Sequence, residues 1–407
     1  MTKIQRAYKY RLYPNKTQQT KLEQNFGAVR FLWNTLVANF NAYGTDSYIK
    51  NLSEIHIKQD NPWMCDRISY ALQQKRRDFF EATKQYFNKK RKKKSGRPKF
   101  KKRGVCVDSF RFPAKSIGYL KGFDFENGTV RIPKIGKIKV RYDRTFTSHP
   151  LSVTVSKTKS NEYYASVVVE EERPDPLSNT YNDVGLDLGL DHLIITSEGE
   201  KINNPKYFRE TQAKLRKAQK ALSRKIKGSK NWQQARHKVA KIYQKVTRQR
   251  KWLFHQVANG LIKTYDSIII EDLNVQGMMK NRRLSKSIAD VSWSTFIQIL
   301  SYKANWFGKE VLKIDRFFPS SKKCHCCGFK MKELPLSIRE WKCPSCFEIH
   351  DRDINAAKNI MNEGLRFHHG VIEDNSGGTA RSLNGCGENI RPRCNKSHQG
   401  SLNEAII

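Results

Sequence analysis

Four cysteines near the C-terminal end constrain this chain more than any other feature. They form the pattern C-x2-C-x15-C-x2-C, and they are Cys324, Cys327, Cys343 and Cys346. Two residues between paired cysteines make a turn that brings both sulfurs to one ion, and two such pairs complete a tetrahedral zinc site. Because four protein ligands leave no open position for a substrate, we interpret this zinc as structural.

Other residues in the same region could compete for the ion. Cys326 lies between two of the proposed ligands, but the two-residue spacing favours Cys327. His325 and His350 are alternative ligands or contacts to nucleic-acid bases, although neither is needed. The cysteines outside the pattern are scattered and odd in number, which argues against a disulfide framework and favours a reducing, cytoplasmic location.

The charge of the chain indicates a polyanionic partner. Lys and Arg total 77 against 38 Asp and Glu, so the formal net charge is +39. Such a charge opposes compact folding unless a polyanion neutralises it. A membrane surface is the alternative, but the first residues lack the apolar core of a signal peptide and no run approaches the roughly 20 apolar residues of a spanning helix. Nucleic acid is therefore the predicted partner.

Two segments concentrate this positive charge. Every charged residue from 89 to 103 is Lys or Arg, and Gly96-Arg97-Pro98-Lys99-Phe100 places a proline and an aromatic ring within the run. The run could be a solvated loop, yet this mixture is more typical of a segment that orders on a phosphate backbone. Residues 206–251 contain a single acid, Glu210, and an apolar seam, which predicts helices with one basic face.

Hydrophobic periodicity divides the chain into three regions and a tail. Residues 4–13 are predicted to form a strand and residues 17–88 to be helical, whereas residues 116–172 show the period of two that is typical of strands. We interpret those strands as a small β-barrel-like domain. The following region, to residue 363, mixes strands and helices as an α/β domain does. Beyond Gly364 the chain is rich in Gly, Ser and Asn and is predicted to be disordered.

Within the α/β region the elements can be predicted one by one from the same periodicity. Their order is a hairpin at 184–188 and 193–196, two long helices within 205–265 that break near Gly228, a strand at 267–270, a helix at 293–307, a strand at 311–314 and a final helix from Asp353.

Three acidic residues stand where a carboxylate is costly without a partner. Asp187 lies in an apolar strand, Glu271 ends another, and Asp353 begins a helix whose Ala356-Ala357 pair allows close packing on a sheet. Alone, each acid has an ordinary explanation as a turn residue, an exposed strand end or a helix N-cap. Asp351 competes with Asp353, since either could face a site.

Taken together, the three acids suggest a metal site that acts on nucleic acid. Hard cations such as Mg²⁺ or Mn²⁺ prefer oxygen ligands, so Asp and Glu are suitable residue types. Cleavage of a phosphodiester uses such ions to activate water and to stabilise the leaving oxygen. In a chain of this charge, the set Asp187, Glu271 and Asp353 predicts metal-dependent cleavage of a polyanion.

These motifs resemble a known family along nearly the whole chain. The sequence is similar to the TnpB proteins of bacterial insertion sequences, compact RNA-guided nucleases related to type V CRISPR effectors. The most specific matches are the four-cysteine pattern and the segment DRDINAAKNI that begins at Asp351. Further matches are YRLYP at 10–14, RFLWN at 30–34, ALQ at 71–73, GRPKF at 96–100, GLDLG at 185–189 and EDL at 271–273.

The resemblance implies a multidomain α+β fold. A β-barrel wedge domain with an inserted helical recognition domain would precede a RuvC-like nuclease domain, of the ribonuclease-H fold, with an inserted zinc ribbon. The implied boundaries are 1–15 for the first wedge strand, 16–90 for the recognition domain, 91–177 for the wedge barrel, 178–363 for the nuclease domain, about 318–349 for the ribbon and 364–407 for the tail.

The resemblance also implies the activity. Family members bind a guide RNA made from the transposon end and cut double-stranded DNA beside a short flanking motif, with Asp187, Glu271 and Asp353 here as the catalytic, Mg²⁺-binding acids. Relatives that lack acids act as RNA-guided repressors, and a DNA transposase is a less favoured alternative because the fold hosts both chemistries. Contacts to nucleic acid are expected from Tyr48, Ser69, Tyr70, Gln73, Arg97 and Lys99.

Overall fold

The chain divides into two units. A computed structural model describes residues 3–44, 54–88, 95–281, 284–335 and 337–368. The first unit combines Met1–Arg173 with Ala221–Lys241, and the second combines Pro174–Lys220 with Ile242–Ile407. The first boundary lies four residues from the one implied at 177. Residues 221–241, by contrast, were expected in the nuclease domain, and their contacts group them with the first unit.

A seven-stranded antiparallel sheet forms the body of the first unit. Its strands are β1 (Lys3–Tyr13), β2 (Asp108–Pro113), β3 (Phe123–Asp124), β4 (Thr129–Ile132), β5 (Gly136–Arg141), β6 (Pro150–Lys157) and β7 (Tyr163–Glu172). The order β2-β6-β7-β1-β5-β4-β3 places the N-terminal strand in the middle, where it pairs with β7 from Lys3 to Leu12. Within the described residues β2 and β3 are edges, so hydrogen bonds do not close this curled sheet into the predicted β-barrel.

Helices pack against this sheet and share its core. They are α1 (Lys16–Tyr43), α2 (Glu54–Asp60) and α3 (Ser69–Phe87). A capping box starts α1, because Asn15 and Gln18 each accept a hydrogen bond from the other's backbone N–H, at 2.8 and 3.1 Å. Phe26 of α1 packs on Phe110 of β2 with ring centroids 5.3 Å apart. The predicted recognition helices and wedge strands therefore form one unit around one hydrophobic core.

A five-stranded mixed sheet organises the second unit. Its strands are β8 (Asp183–Asp187), β9 (His192–Thr196), β10 (Lys201–Asn203), β11 (Ser267–Glu271) and β12 (Glu310–Ile314). The order is β10-β9-β8-β11-β12, in which β8 to β10 are antiparallel and β11 runs parallel to both β8 and β12. Because parallel strands end at the same edge of a sheet, β8 and β11 deliver their last residues side by side.

The described remainder of the chain contains the helices that were predicted within 205–265, at 293–307 and from Asp353, and two short helices that were not predicted. They are α4 (Tyr207–Ser223), α5 (Lys230–Thr264), α6 (Val275–Met278), α7 (Ser285–Val291), α8 (Trp293–Trp306) and α9 (Arg352–His368), and between α8 and α9 lies the short antiparallel pair β13 (Glu340–Lys342) and β14 (Ile349–Asp351). The break between α4 and α5 contains Gly228, whose φ of 93° suits glycine. None of the described helices is long and apolar enough to cross a membrane.

The last helix, α9, packs very closely on strand β8. A Cβ atom at Gly185 would lie 2.0 Å from the carbonyl oxygen of Ala357 and 2.6 Å from the backbone nitrogen of Met361. Gly364 of the helix likewise has no room for a Cβ against Ile269 of β11. The helix extends to His368. Residues 364–368 are therefore helical, whereas the sequence predicted a disordered tail from residue 364. Residues 369–407 lie outside the described residues.

Replacing Gly185 with alanine is expected to destabilise the second unit by about 3 kcal/mol, because the added methyl group meets helix backbone that can only move away. Thermal unfolding should show a clear loss. Gly27→Ala in α1 is the matched control, since a Cβ there meets nothing within 4 Å and its unfolding temperature should not fall. An unchanged unfolding temperature for Gly185→Ala would contradict this packing.

Candidate metal centres

Two of the predicted acids meet at the carboxyl edge of the mixed sheet. The parallel register pairs Ile270 of β11 with Leu186 of β8, so the next residues, Glu271 and Asp187, leave neighbouring strands at the same level. Both strands are apolar and buried up to these positions, which is why the sheet places the carboxylates at its rim. The sequence placed Asp187 within a strand and Glu271 at the end of one, and in the structure both acids are the last residues of their strands.

The third acid comes from the first turn of α9. Asp351 accepts hydrogen bonds from the backbone N–H groups of Asp353 and Ile354 at 2.9 and 3.0 Å, so Asp351 caps the helix. Its other oxygen pairs with Lys201 of β10 at 2.6 Å. The alternative in which Asp353 is the N-cap is therefore wrong, and the carboxylate of Asp353 is left for other partners.

The three acids share one electrostatic environment. Burial, followed by the charges of Glu271 and Asp353, raises the pKa of Asp187 to about 7. A hydrogen bond from the backbone of Leu188 and the charge of Arg352 oppose this shift without cancelling it. Mutual repulsion among carboxylates brought together in a buried place is relieved by a divalent cation, so the donor set fits a hard metal ion.

This shift should make the stability of the Mg²⁺-free protein depend on pH. Folded Asp187 keeps its proton up to about pH 7, whereas the unfolded chain releases it near the ordinary value of 3.8. The folded state therefore binds more protons across this window, and the free energy of unfolding should fall as pH rises from about 4 to about 7. Asp187→Asn should flatten that fall, as measured by thermal unfolding in Mg²⁺-free buffer with zinc retained. An equal pH dependence in both proteins would contradict the raised pKa.

Two side chains that the sequence analysis did not single out contact these acids. Ser320 Oγ donates to Glu271 Oε1 at 2.5 Å, and Arg339 Nη1 lies 3.4 Å from Asp353 Oδ2. Arg339 also lies 3.7 Å from Asp191. Ser320 and Arg339 both fall within the segment predicted as the zinc ribbon, so that segment reaches the acids. Their sequence neighbourhoods carry no separate pattern that predicts this.

The four cysteines of the pattern converge as predicted. All four sulfurs lie within 4.8 Å of one another, and the pairs Cys324–Cys346 and Cys327–Cys343 are both 3.6 Å apart. Zn–S bonds of about 2.3 Å at tetrahedral angles separate sulfurs by roughly 3.8 Å, so this set fits zinc. Among the described residues, the clusters with ligand atoms within 4.8 Å of one another are this one and an overlapping group of Cys324, Cys326 and His350. The three carboxylates do not form a cluster of that size.

The overlapping group is better explained as support for the four-cysteine site. His350 is buried and its Nε2 lies 3.0 Å from Cys324 Sγ, a distance suited to a hydrogen bond toward a metal-bound sulfur. Cys326 is exposed and its sulfur lies 3.4 Å from His325 Nε2. The spacing argument for Cys327 over Cys326 therefore agrees with the geometry.

Two buried asparagines bind the zinc element to the helix that carries Asp353. Asn355 Nδ2 donates to the carbonyl of Lys323 at 2.8 Å, and its Oδ1 accepts from the backbone N–H of His325 at 3.0 Å. Asn359 Nδ2 donates to the carbonyl of Ser320 at 2.8 Å. The first cysteine turn and α9, which carries Asp353, are thus joined through the side-chain amides of both asparagines.

The predicted nucleic-acid contacts lie in the first unit, apart from Tyr48, which falls outside the described residues. Ser69, half-exposed Tyr70 and Gln73 stand on the first turns of α3. The basic segment is held on α1, because Trp33 Nε1 donates to the carbonyl of Lys99 at 2.9 Å and Arg97 lies over the ring of Phe40. Lys99 itself is exposed. These roles remain predictions.

Three family profiles match parts of the chain. They are described as "Probable transposase" for residues 166–282, "Cas12f1-like, TNB domain" for residues 293–360 and "Helix-turn-helix domain" for residues 1–44. The second covers the zinc element and most of α9. The described part of the third consists of strand β1 and the single long helix α1.

Relatives match the chain over most of its length. A candidate RNA-guided DNA endonuclease of Streptomyces pristinaespiralis is 34% identical over 98% of this chain and 95% of its own. InsQ of Escherichia coli K12, named in the same way, is 31% identical over 88% of this chain and 92% of its own.

A solved structure supports the likeness at the level of the fold. The cryo-EM structure of a Cas12f1–sgRNA–target DNA complex covers 88% of this chain and 99% of that chain, with a TM-score of 0.51 at 11% identity. Together with the relatives and the zinc element, this shows that the chain belongs to the TnpB family of transposon-encoded proteins, which is related to the type V CRISPR effectors.

Proposed function

We propose that the protein is an RNA-guided endonuclease that cuts double-stranded DNA beside a short transposon-adjacent motif. The observation that carries this proposal is the placement of Asp187 and Glu271 at the adjacent ends of the parallel strands β8 and β11, with Asp353 on the helix α9 that packs on β8. All three positions keep their acids, which favours a cutting enzyme over a repressor. The names of the curated relatives include RNA guidance, and the guide RNA would come from the transposon end, as the resemblance to the TnpB family implies.

The topology of the second unit supports a RuvC-like nuclease domain. An antiparallel meander followed by two parallel strands, in the order β10-β9-β8-β11-β12, is the arrangement expected of the ribonuclease-H fold. In such sheets the carboxyl ends of the parallel strands form the site. We assign the first unit to the wedge and recognition functions, with Ser69, Tyr70 and Gln73 near the flanking motif. An enzyme with this substrate would act in the cytoplasm, at the nucleoid.

Asp187, Glu271 and Asp353 would hold Mg²⁺ or Mn²⁺. Bound there, the cation supplies a nucleophilic water and charge stabilisation of the leaving oxygen. The chain itself does the positioning. Ser320 fixes the carboxylate of Glu271 through its hydroxyl, and because Asp351 caps α9, the carboxylate of Asp353 is not used as the cap. Arg339, beside Asp353, provides a guanidinium that can hold the phosphate of the substrate.

The basic segments would hold the RNA and the RNA–DNA duplex by their phosphates. The described part of the first segment, residues 95–103, is anchored on α1 through its backbone, and the side chain of Lys99 is exposed. Helices α4 and α5 carry the second segment. Such contacts are independent of base sequence and leave target selection to base pairing with the guide.

Expression with the flanking transposon-end DNA tests the proposal. A discrete RNA should copurify, and the purified particle with Mg²⁺ should cut a plasmid that carries a guide-matched target beside a randomised flank. A plasmid with a scrambled target is the matched control and should stay intact. Sequencing of the cut products would reveal the flanking motif.

The other outcomes identify the alternatives. A defined RNA with guide-dependent binding and no cutting would indicate an RNA-guided repressor. The absence of RNA, with joined products from transposon-end DNA, would indicate a transposase.

A further inference from the structure

An exposed phenylalanine stands close to the acids at the edge of the mixed sheet. Phe317 is 86% exposed, and the loop that carries it follows strand β12. The parallel register pairs the last residue of that strand, Ile314, with Glu271. Phe317 is therefore three residues beyond the position directly beside a candidate catalytic acid.

The loop around Phe317 is tied to the same strand end on both sides. Before it, the guanidinium of Arg316 donates to the side chain of Asp272 at 2.6 Å and to the Asp272 carbonyl at 3.1 Å. After it, Ser320 donates to Glu271 at 2.5 Å. The backbone N–H of Phe317 itself donates to Asp315 at 2.8 Å. Hydrogen bonds on both sides of Phe317 thus hold its loop beside the acids.

Packing does not account for this ring. The adjacent Phe318 already fills the apolar position, because it packs with Ile269, Ile314 and Ile360. Leaving Phe317 in water forgoes about 2 kcal/mol that burial of a phenylalanine would supply. Lys322 and Lys323 follow five and six residues later in the sequence, so this segment combines an exposed aromatic ring with basic residues. Aromatic and basic groups combined in this way are suited to single-stranded nucleic acid.

We propose that Phe317 forms a stacking subsite for an unpaired base of the DNA strand that is cut at Asp187, Glu271 and Asp353. This inference rests on the proposed function and names the form of its substrate as single-stranded DNA. Every base has a π face, so stacking on Phe317 tolerates any sequence. That property suits an enzyme whose target sequence is chosen by an RNA, since hydrogen bonds to base edges would restrict the sequences cut.

Fluorescence of 2-aminopurine tests the subsite directly. The Asp187→Asn protein with its copurified RNA would bind a guide-matched target whose displaced strand carries 2-aminopurine at successive positions. Stacking quenches the probe, so one position should be quenched, and Phe317→Ala should restore its emission. Phe317→Trp should keep the quenching, whereas Phe317→Leu should lose it because it retains apolar area without a π face.

Cleavage by proteins with the triad intact provides the second readout. Phe317→Ala should lower the rate of cutting about tenfold, within the effect of about 1–3 kcal/mol per stacked base, while RNA copurification and target binding stay unchanged. Tyr181→Ala is the matched control. Tyr181 is 90% exposed but precedes β8, at the opposite end of the strand from Asp187, and its loss should not affect cutting.

The outcomes separate this inference from the proposed function. If the guided complex forms and cuts but Phe317→Ala and Phe317→Leu behave as the unchanged protein does, the stacking subsite is refuted and the endonuclease stands. If Phe317→Ala and Tyr181→Ala reduce cutting equally, the effect is not specific to this position and the subsite is again refuted. If no guided complex forms, the proposed function fails and this inference fails with it.

Discussion

Asp187→Asn is expected to reduce Mg²⁺-dependent cutting of a guide-matched plasmid about a thousandfold, which corresponds to about 4 kcal/mol in the activation barrier. The substitution keeps the shape of the side chain but removes the charge that a hard cation requires. Glu271→Gln and Asp353→Asn should cause losses of the same order, since these acids share the environment of Asp187. Initial rates of plasmid nicking at saturating Mg²⁺ measure the effect.

Asp351→Asn is the matched control for that series. Asparagine can still accept the hydrogen bonds that cap α9 and loses only the ion pair with Lys201. Cutting should therefore stay within a few-fold of the unchanged protein, and the same RNA should copurify with every variant. Cutting by Asp187→Asn at the rate of the unchanged protein would contradict the assignment of Asp187, Glu271 and Asp353 as the catalytic acids. If Asp351→Asn were as inactive as Asp353→Asn, Asp351 would act at the site as well as at the cap.

Cys343→Ser is expected to remove the zinc and, with it, the activity. A structural four-cysteine zinc site contributes about 10 kcal/mol or more of folding free energy, and one lost thiolate disrupts the tetrahedral set. The zinc element carries Ser320 and Arg339 and is bonded to α9 through Asn355, so its disorder should reach the acids. Elemental analysis of zinc per chain would show the loss of the metal. Hydrogen exchange over the ribbon would show its disorder.

Cys326→Ser provides the comparison, because Cys326 is exposed and lies outside the four-cysteine set. This variant should keep one zinc per chain and cut normally. Zinc loss in Cys326→Ser, with retention in Cys327→Ser, would instead support the overlapping cluster that includes His350. Normal cutting by zinc-free Cys343→Ser would show that the acids do not depend on the ribbon.

Local patterns in the sequence were sufficient for several features. The cysteine spacing specifies a site because a two-residue turn constrains the sulfurs whatever the rest of the fold does. Apolar runs around Asp187 and before Glu271 predicted buried strands that carry these acids, since burial of such runs is nearly obligatory. The helix break near Gly228 followed from the conformational freedom of glycine.

Other features depended on contacts between residues far apart in sequence. The N-terminal strand β1 pairs with β5 and β7, which begin at residues 136 and 163. Residues 221–241 are grouped with the first unit by contacts and not by their position in the sequence. The close approach of α9 to β8 joins Gly185 to Ala357. Local periodicity shows which face of a strand or helix is apolar, but not which distant element pairs with that strand or packs on that face.

By itself the sequence determined the four-cysteine pattern and the family and proposed the three acids, because each depends on residue types at short spacings or on motifs that recur in order. Only the tertiary structure decided that Asp351 caps α9 while Asp353 is left for the site, that Arg339 and Ser320 reach the acids, and that Phe317 stands exposed beside them. The physical reason is that these roles are set by strand register, by the ion pair from Lys201 and by helix packing, which join residues far apart in the sequence, 150 positions in the case of Lys201 and Asp351.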